Sequence, residues 1–325
     1  IIFSPIVLGG PVFQDYLMRK DTVCIVLLIA CLLIEKTKLS LFIRSTLINI
    51  IAISAILSHE GFIFYGVTGI LVMRILSKQE SILKSALVFS PMIFAFVLSS
   101  LFHGDETTAI AINNSLVNLW HHIDPTDTDI YNPSCAVYSL KYTLGNCPWM
   151  GYSVLSEINY HVYTPLAWIG TVLVCFVYLL SFLNIGGKNI PVSKEPVEVE
   201  RIRLFVVLLF QLISIFPLFI IGWDYGRWIF LWTSSSLAIY FIGLDWSHPF
   251  CERATLIAAK YPKIIKLPWT PQEWHLLLFG IPLCSWSVFS YLQSTPLGYQ
   301  SDFLLKLFTH KNLFETIYPL VKLQG

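Results

Sequence analysis

The chain has 325 residues, 55% of them hydrophobic and 13% charged, with a formal net charge of +1. Soluble domains carry about 25% charged residues, so this balance and a mean hydropathy of +0.68 exclude an ordinary soluble domain and point to a polytopic helical membrane protein. Near-neutral charge argues against a nucleic-acid partner, which usually needs a basic face, and no Gly-rich phosphate loop, HExxH or CxxC occurs.

A spanning helix needs roughly 17–25 mainly apolar residues. The chain opens on an apolar run, Ile1–Phe13, read as the end of a helix begun upstream or as a re-entrant piece, with the N-terminus truncated. The expected spans that follow are Thr22–Ile34, Leu41–Leu57, Phe62–Leu76, Ala86–Phe102, Tyr163–Leu183, Leu204–Ile221, Ile229–Leu244 and Trp274–Tyr291. Thr22–Ile34 and Phe62–Leu76 are short for a full crossing. The expected fold is therefore all-α: one integral membrane domain over residues 1–325, a bundle of about 8–10 helices with one long external loop at 103–162. Gly186–Val199 reads as a Pro/Lys/Glu-rich linker and Ser247–Gln272 as a Pro- and Lys-bearing connection, neither with a nucleotide-binding pattern.

Cytoplasmic loops collect Lys and Arg. Alternate connections hold Lys36, Lys38 and Arg44, then Arg74, Lys78 and Lys84, then Lys188, Lys194, Arg201 and Arg203, then Arg253, Lys260, Lys263 and Lys266, which is two thirds of the 21 basic residues. That set is assigned to the cytoplasm. Cys24, Cys31, Cys175 and Cys284 fall in apolar runs and read as packing residues. Cys135 and Cys147 fall in the external loop, where they are either a disulfide or two free thiols.

This topology gathers four polar clusters on the outer side: Arg19-Lys20-Asp21, His59-Glu60-Gly61, the loop with His103, Asp105, Glu106, His121, His122, Asp124, Asp127 and Asp129, and Asp224 with Arg227. Each has a plain reading. Arg19 and Lys20 snorkel, the His-Glu-Gly turn uses glycine for a positive φ, the loop is a soluble flap, Trp223 and Trp228 join an aromatic belt, and Asp224 and Arg227 neutralise each other on one helical turn. Together they read as a site. Arg19, Lys20 and Arg227 suit a diphosphate, because the guanidinium fork matches phosphate oxygens. Glu60, His59 or Asp224 is placed to take a proton from an attacking hydroxyl, and Trp223, Tyr225 and Trp228 offer faces for sugar rings. The pattern describes glycosyl transfer from a polyprenyl-diphosphate donor. A metal site on His121-His122 with Asp124, or on His103 with Asp105 and Glu106, is the weaker alternative, since adjacent histidines do not share a helix face.

The elements Arg19-Lys20-Asp21, Ser58-His59-Glu60-Gly61 and Asp224-Tyr225-Gly226-Arg227-Trp228 resemble those of bacterial O-antigen or capsular polysaccharide polymerases of the Wzy type. The resemblance implies an inner-membrane enzyme that joins undecaprenyl-diphosphate-linked oligosaccharides on the periplasmic face. It implies arginines on the diphosphate, here Arg19 and Arg227, and no metal or other cofactor. It also implies the lipid bilayer and other polysaccharide-assembly membrane proteins as partners. Two other classes stand against it. A transporter or flippase for a lipid-linked or anionic substrate would show midplane charges and internal repeats. A non-catalytic subunit of a membrane assembly would leave the polar clusters scattered.

Overall fold

A computed structural model describes residues 20–78, 81–102, 104–123, 197–221 and 225–243, a few helical residues between 169 and 180, and residue 256. Of the described part 90% is helix, and no strand occurs among the described residues. The apolar run Ile1–Phe13, the expected span Trp274–Tyr291 and the cysteines Cys135 and Cys147 lie outside them.

Helix α1 is Lys20–Glu35 and α2 is Leu41–Ser58. They are antiparallel neighbours joined by a short turn. Thr37 N–H and its hydroxyl both bond Ile34 O, and Ser40 caps α2 by accepting from Ile43 N–H at 3.4 Å. After the turn at His59–Gly61 comes a π-helical turn, Ile63–Val67, that runs into α3, Thr68–Lys78. The span expected over Ala86–Phe102 is two helices, α4 (Ile82–Val88) and α5 (Ser90–Leu101), because Pro91 has no N–H to continue α4 and sits instead in the first turn of α5. Helix α6 is Glu106–Ile123, inside the stretch read as loop; Asp105 starts it by accepting from Thr108 N–H at 2.7 Å. Helix α7 is Val197–Ile221 and begins inside the expected linker. Helix α8 is Tyr225–Ala238, and a second π-helical turn, Ile239–Gly243, follows it.

Among the described residues two helices are long and apolar enough to cross a membrane, Leu41–Ser58 and the Glu200–Ile221 part of α7. Eighteen residues rise about 27 Å, close to the roughly 30 Å of a bilayer's hydrocarbon. Large apolar side chains face outward on these helices: Phe42 is 80% exposed and Ile213 and Leu57 are 66% exposed. A set of polar groups on α7 and α8 is inside. Thr233, Ser234, Ser235 and Ser236 of α8 and Gln211 of α7 are all buried. Three of these hydroxyls bond back to carbonyls of their own helix, Ser236 to Trp232 O at 2.6 Å, Ser235 to Trp232 O at 3.2 Å and Thr233 to Ile229 O at 3.0 Å.

The core joins α1, α2, α3, α7 and α8 through Leu28, Leu32, Ile48, Ile56, Phe62, Ile70, Leu208 and Trp232. Directional bonds lock it. Trp232 Nε1–H donates to Leu208 O at 2.8 Å, and Gln211 Nε2 donates at 3.1 Å to Tyr65 O in the first π turn. Gly69 permits the close approach there: a Cβ would lie 2.6 Å from Ile239 Cδ1 and 2.9 Å from Gln211 Nε2.

Ionic groups collect at both ends of these helices. At one end Glu35 pairs with Arg44 at 3.4 Å, Arg74 Nη1 donates to Ser45 Oγ at 3.1 Å beneath the Phe89 ring, and Arg203 pairs with Glu200, which also accepts from the Tyr240 hydroxyl. At the other end lie Asp21, His59 and Arg227.

Candidate functional site

The site is built from the first turn of α1, the residue that ends α2, and the first turn of α8. Asp21 is 3% exposed and His59 6%. Arg227 forks onto Asp21, with Nε donating to Oδ2 at 2.6 Å and Nη2 donating to Oδ1 at 2.8 Å. Burial acts to raise the pKa of Asp21, but hydrogen bonds from His59 and Arg227 and their charges outweigh it and hold the carboxyl well below the usual carboxylate range. Asp21 lies ahead of the apolar run of α1, and its negative charge in the first turn also suits the helix dipole.

His59 closes α2 in extended conformation, its N–H still bonded to Ala55 O. Its Nδ1 accepts from Gly61 N–H at 3.0 Å, so in the neutral ring the hydrogen sits on Nε2. That nitrogen is 3.3 Å from Asp21 Oδ1 and only 2.6 Å from Arg227 Nη2. Both ring nitrogens therefore meet an N–H donor, and a neutral imidazole has one acceptor. The other tautomer satisfies Arg227 and sets Nδ1–H against Gly61 N–H. One contact of this ring is unfavourable either way.

Gly61 is needed for space rather than for a positive φ: a Cβ would sit 2.8 Å from His59 Cε1 and 3.0 Å from Nδ1. The backbone of the turn is satisfied by Phe62 N–H to His59 O at 2.9 Å and Ile63 N–H to Glu60 O at 3.2 Å. Trp228 covers the cluster. Its ring lies 5.2 Å from the Arg227 guanidinium carbon and meets His59 edge-on at 6.4 Å. It is 6% exposed, and its indole N–H is a buried donor without an acceptor among the described residues.

Of the residues singled out from sequence, His59, Arg227 and Trp228 meet here. Trp228 does so as a buried lid on the ion pair, with its ring already engaged. Lys20 and Glu60 are exposed, each next in sequence to a member of the cluster. Tyr225 is the first residue of α8. Arg19, Trp223 and Asp224 lie outside the described residues, as do Asp124, Asp127, Asp129 and His103. The residue to which sequence reasoning gave no role is Asp21, the carboxylate that the structure sets against Arg227. A signal was available: an acid in the first turn of an otherwise apolar helix requires a partner when that turn is buried.

The arrangement holds an anion between a guanidinium and an imidazole, with an indole closing the apolar side. Among the described residues of the cluster and its turn, the carboxylate of Glu60 is exposed to solvent, while Asp21 is enclosed. No family model, no curated protein and no solved structure matches the chain.

Proposed function

We propose that the chain is a polytopic integral membrane protein of the bacterial inner membrane that joins polyprenyl-diphosphate-linked oligosaccharide units at its outer face. The observation that carries this reading is convergence. Three short motifs far apart in sequence, around Asp21, His59 and Arg227, meet within hydrogen-bonding distance at one end of the helices. The outward apolar surface of α2 and α7, with Gln211 of α7 and the hydroxyls of α8 turned inward, supports residence in lipid. In this reading Arg227, with Lys20 and Arg19, takes the diphosphate, and Glu60, with His59 and Asp224, serves the proton transfer.

A second reading follows from the fork of Arg227 on Asp21. A guanidinium committed to an internal carboxylate is also what a transporter or a non-catalytic subunit would use to pin α1 to α8. Polymer length decides between them. In cells lacking the native gene and complemented with Arg227→Ala, Arg19→Ala or Glu60→Ala at checked protein levels, the polymerase reading expects single repeats in place of a ladder. Normal ladders from all three variants refute it and leave transport or assembly.

A further inference from the structure

Three donors converge on the Asp21 carboxylate, two of them on the same oxygen. Arg227 Nε has Oδ2 to itself, but Arg227 Nη2 and His59 Nε2 both converge on Oδ1, at 2.8 and 3.3 Å, and this brings the two nitrogens within 2.6 Å of each other. With Nδ1 held by Gly61 N–H, both nitrogens carry hydrogens. The carboxylate has no third oxygen with which to separate them. A further donor, the indole N–H of Trp228, is buried on the ring that touches both Arg227 and His59 and has no acceptor among the described residues.

We propose that Asp21 is a resident stand-in for a phosphate-type anion, which displaces it from Arg227 and His59 and thereby unpins the start of α1 from the start of α8. The proposal rests on the reading that Arg227 serves a diphosphate, and it adds how that site is kept closed. A terminal phosphate offers three oxygens in place of two. Each of Arg227 Nε, Arg227 Nη2 and His59 Nε2–H then has its own acceptor, and the crowded pair moves apart. The displaced carboxylate is not stranded. It belongs to the first turn of α1, where the N–H groups and dipole of the helix favour an anion, and Lys20 is its exposed neighbour. The exchange selects for charge and oxygen count. A phosphomonoester or diphosphate end group competes with Asp21, whereas a carboxylate reproduces the crowding already present.

The test uses the full chain in detergent micelles, with inorganic pyrophosphate and a short prenyl diphosphate as probes and tryptophan fluorescence or calorimetry as the readout. Asp21→Asn is expected to bind pyrophosphate about tenfold tighter than the unaltered protein, and Arg227→Gln to lose binding. In the unaltered chain, saturating pyrophosphate is expected to speed amide exchange over residues 20–24, a measurement that needs no variant to fold. Equal affinity in Asp21→Asn and the unaltered chain, or unchanged or slower exchange over 20–24, overturns the proposal. Tighter binding of the prenyl compound than of pyrophosphate supports exchange with a lipid-borne group, and equal binding supports exchange with free phosphate anions. If ladders vanish in Arg227→Ala while Asp21→Asn gains nothing, the exchange fails and the polymerase stands. A gain in Asp21→Asn with normal ladders has the opposite meaning.

Discussion

Replacing Arg227 should cost more than replacing Asp21, although both break the same pair. Arg227→Gln leaves the Asp21 carboxylate, whose side chain is 5% exposed, with His59 as its remaining partner in the cluster. Breaking a buried pair in this way costs about 3–5 kcal/mol. Asp21→Asn leaves the guanidinium, and the Arg227 side chain is 16% exposed, so it has a route to water. The asparagine oxygen still accepts one of the two N–H groups, and the cost falls to about 1–3 kcal/mol. The double replacement removes both charges at once. It should therefore be less harmful than the sum of the single replacements by about 1–3 kcal/mol. The assay is a double-mutant cycle of equilibrium unfolding in mixed micelles, read by tryptophan fluorescence. Additivity within about 0.5 kcal/mol, or a larger loss from Asp21→Asn than from Arg227→Gln, would refute the reasoning.

Three further outcomes follow from the same geometry. The folded-state pKa of Asp21 lies below its ordinary value of 3.8, so the stability it contributes is complete above that pH and is lost as pH falls below it; the difference in thermal midpoint between the unaltered chain and Asp21→Asn should be flat above pH 3.8 and shrink below it. Gly61→Ala places a Cβ 2.8 Å from His59 Cε1 and should cost about 1–3 kcal/mol, with altered Trp228 emission as the ring is displaced; unchanged stability and emission would count against the packing described for the turn. Trp232→Phe removes the 2.8 Å bond to Leu208 O and part of the core volume between α7 and α8, for an expected loss of about 1–3 kcal/mol in the same unfolding assay.

Hydropathy marked the helices well where their ends are apolar. Leu41–Leu57 became Leu41–Ser58, and Leu204–Ile221 kept its C-terminal end. It failed where charged residues are part of the helix. Thr22–Ile34 extends to Lys20–Glu35 because Asp21 and Glu35 are buried against Arg227 and Arg44, and a window average treats both acids as flanks. Pro91 was a legible break in Ala86–Phe102, and Asp105 a legible cap for α6, but both were outweighed by run length and by the polarity of the loop. The gathering of His59 and Arg227 on one side could be read from helix alternation and charge. The identity of Arg227's partner could not. The Asp21 pairing spans 206 residues, and no local spacing encodes it; the pairing with Asp224 three residues away, which spacing does suggest, lies outside the described residues.

That sequence separation has a consequence for how the protein is made. Chains emerge at about 5–20 residues per second, so Asp21 precedes its counter-ion by about 10–40 s of synthesis across a sequence separation of 206. During that interval α1 and α2 can already pair, and His59 is the one member of the cluster present to bond the carboxylate. The early hairpin is thus born with an anion awaiting its cation, and the arrival of α8 supplies it. Chain order makes Arg227 the late-arriving clasp, and a ribosome stalled before it would leave a hairpin whose most expensive group is still unmatched.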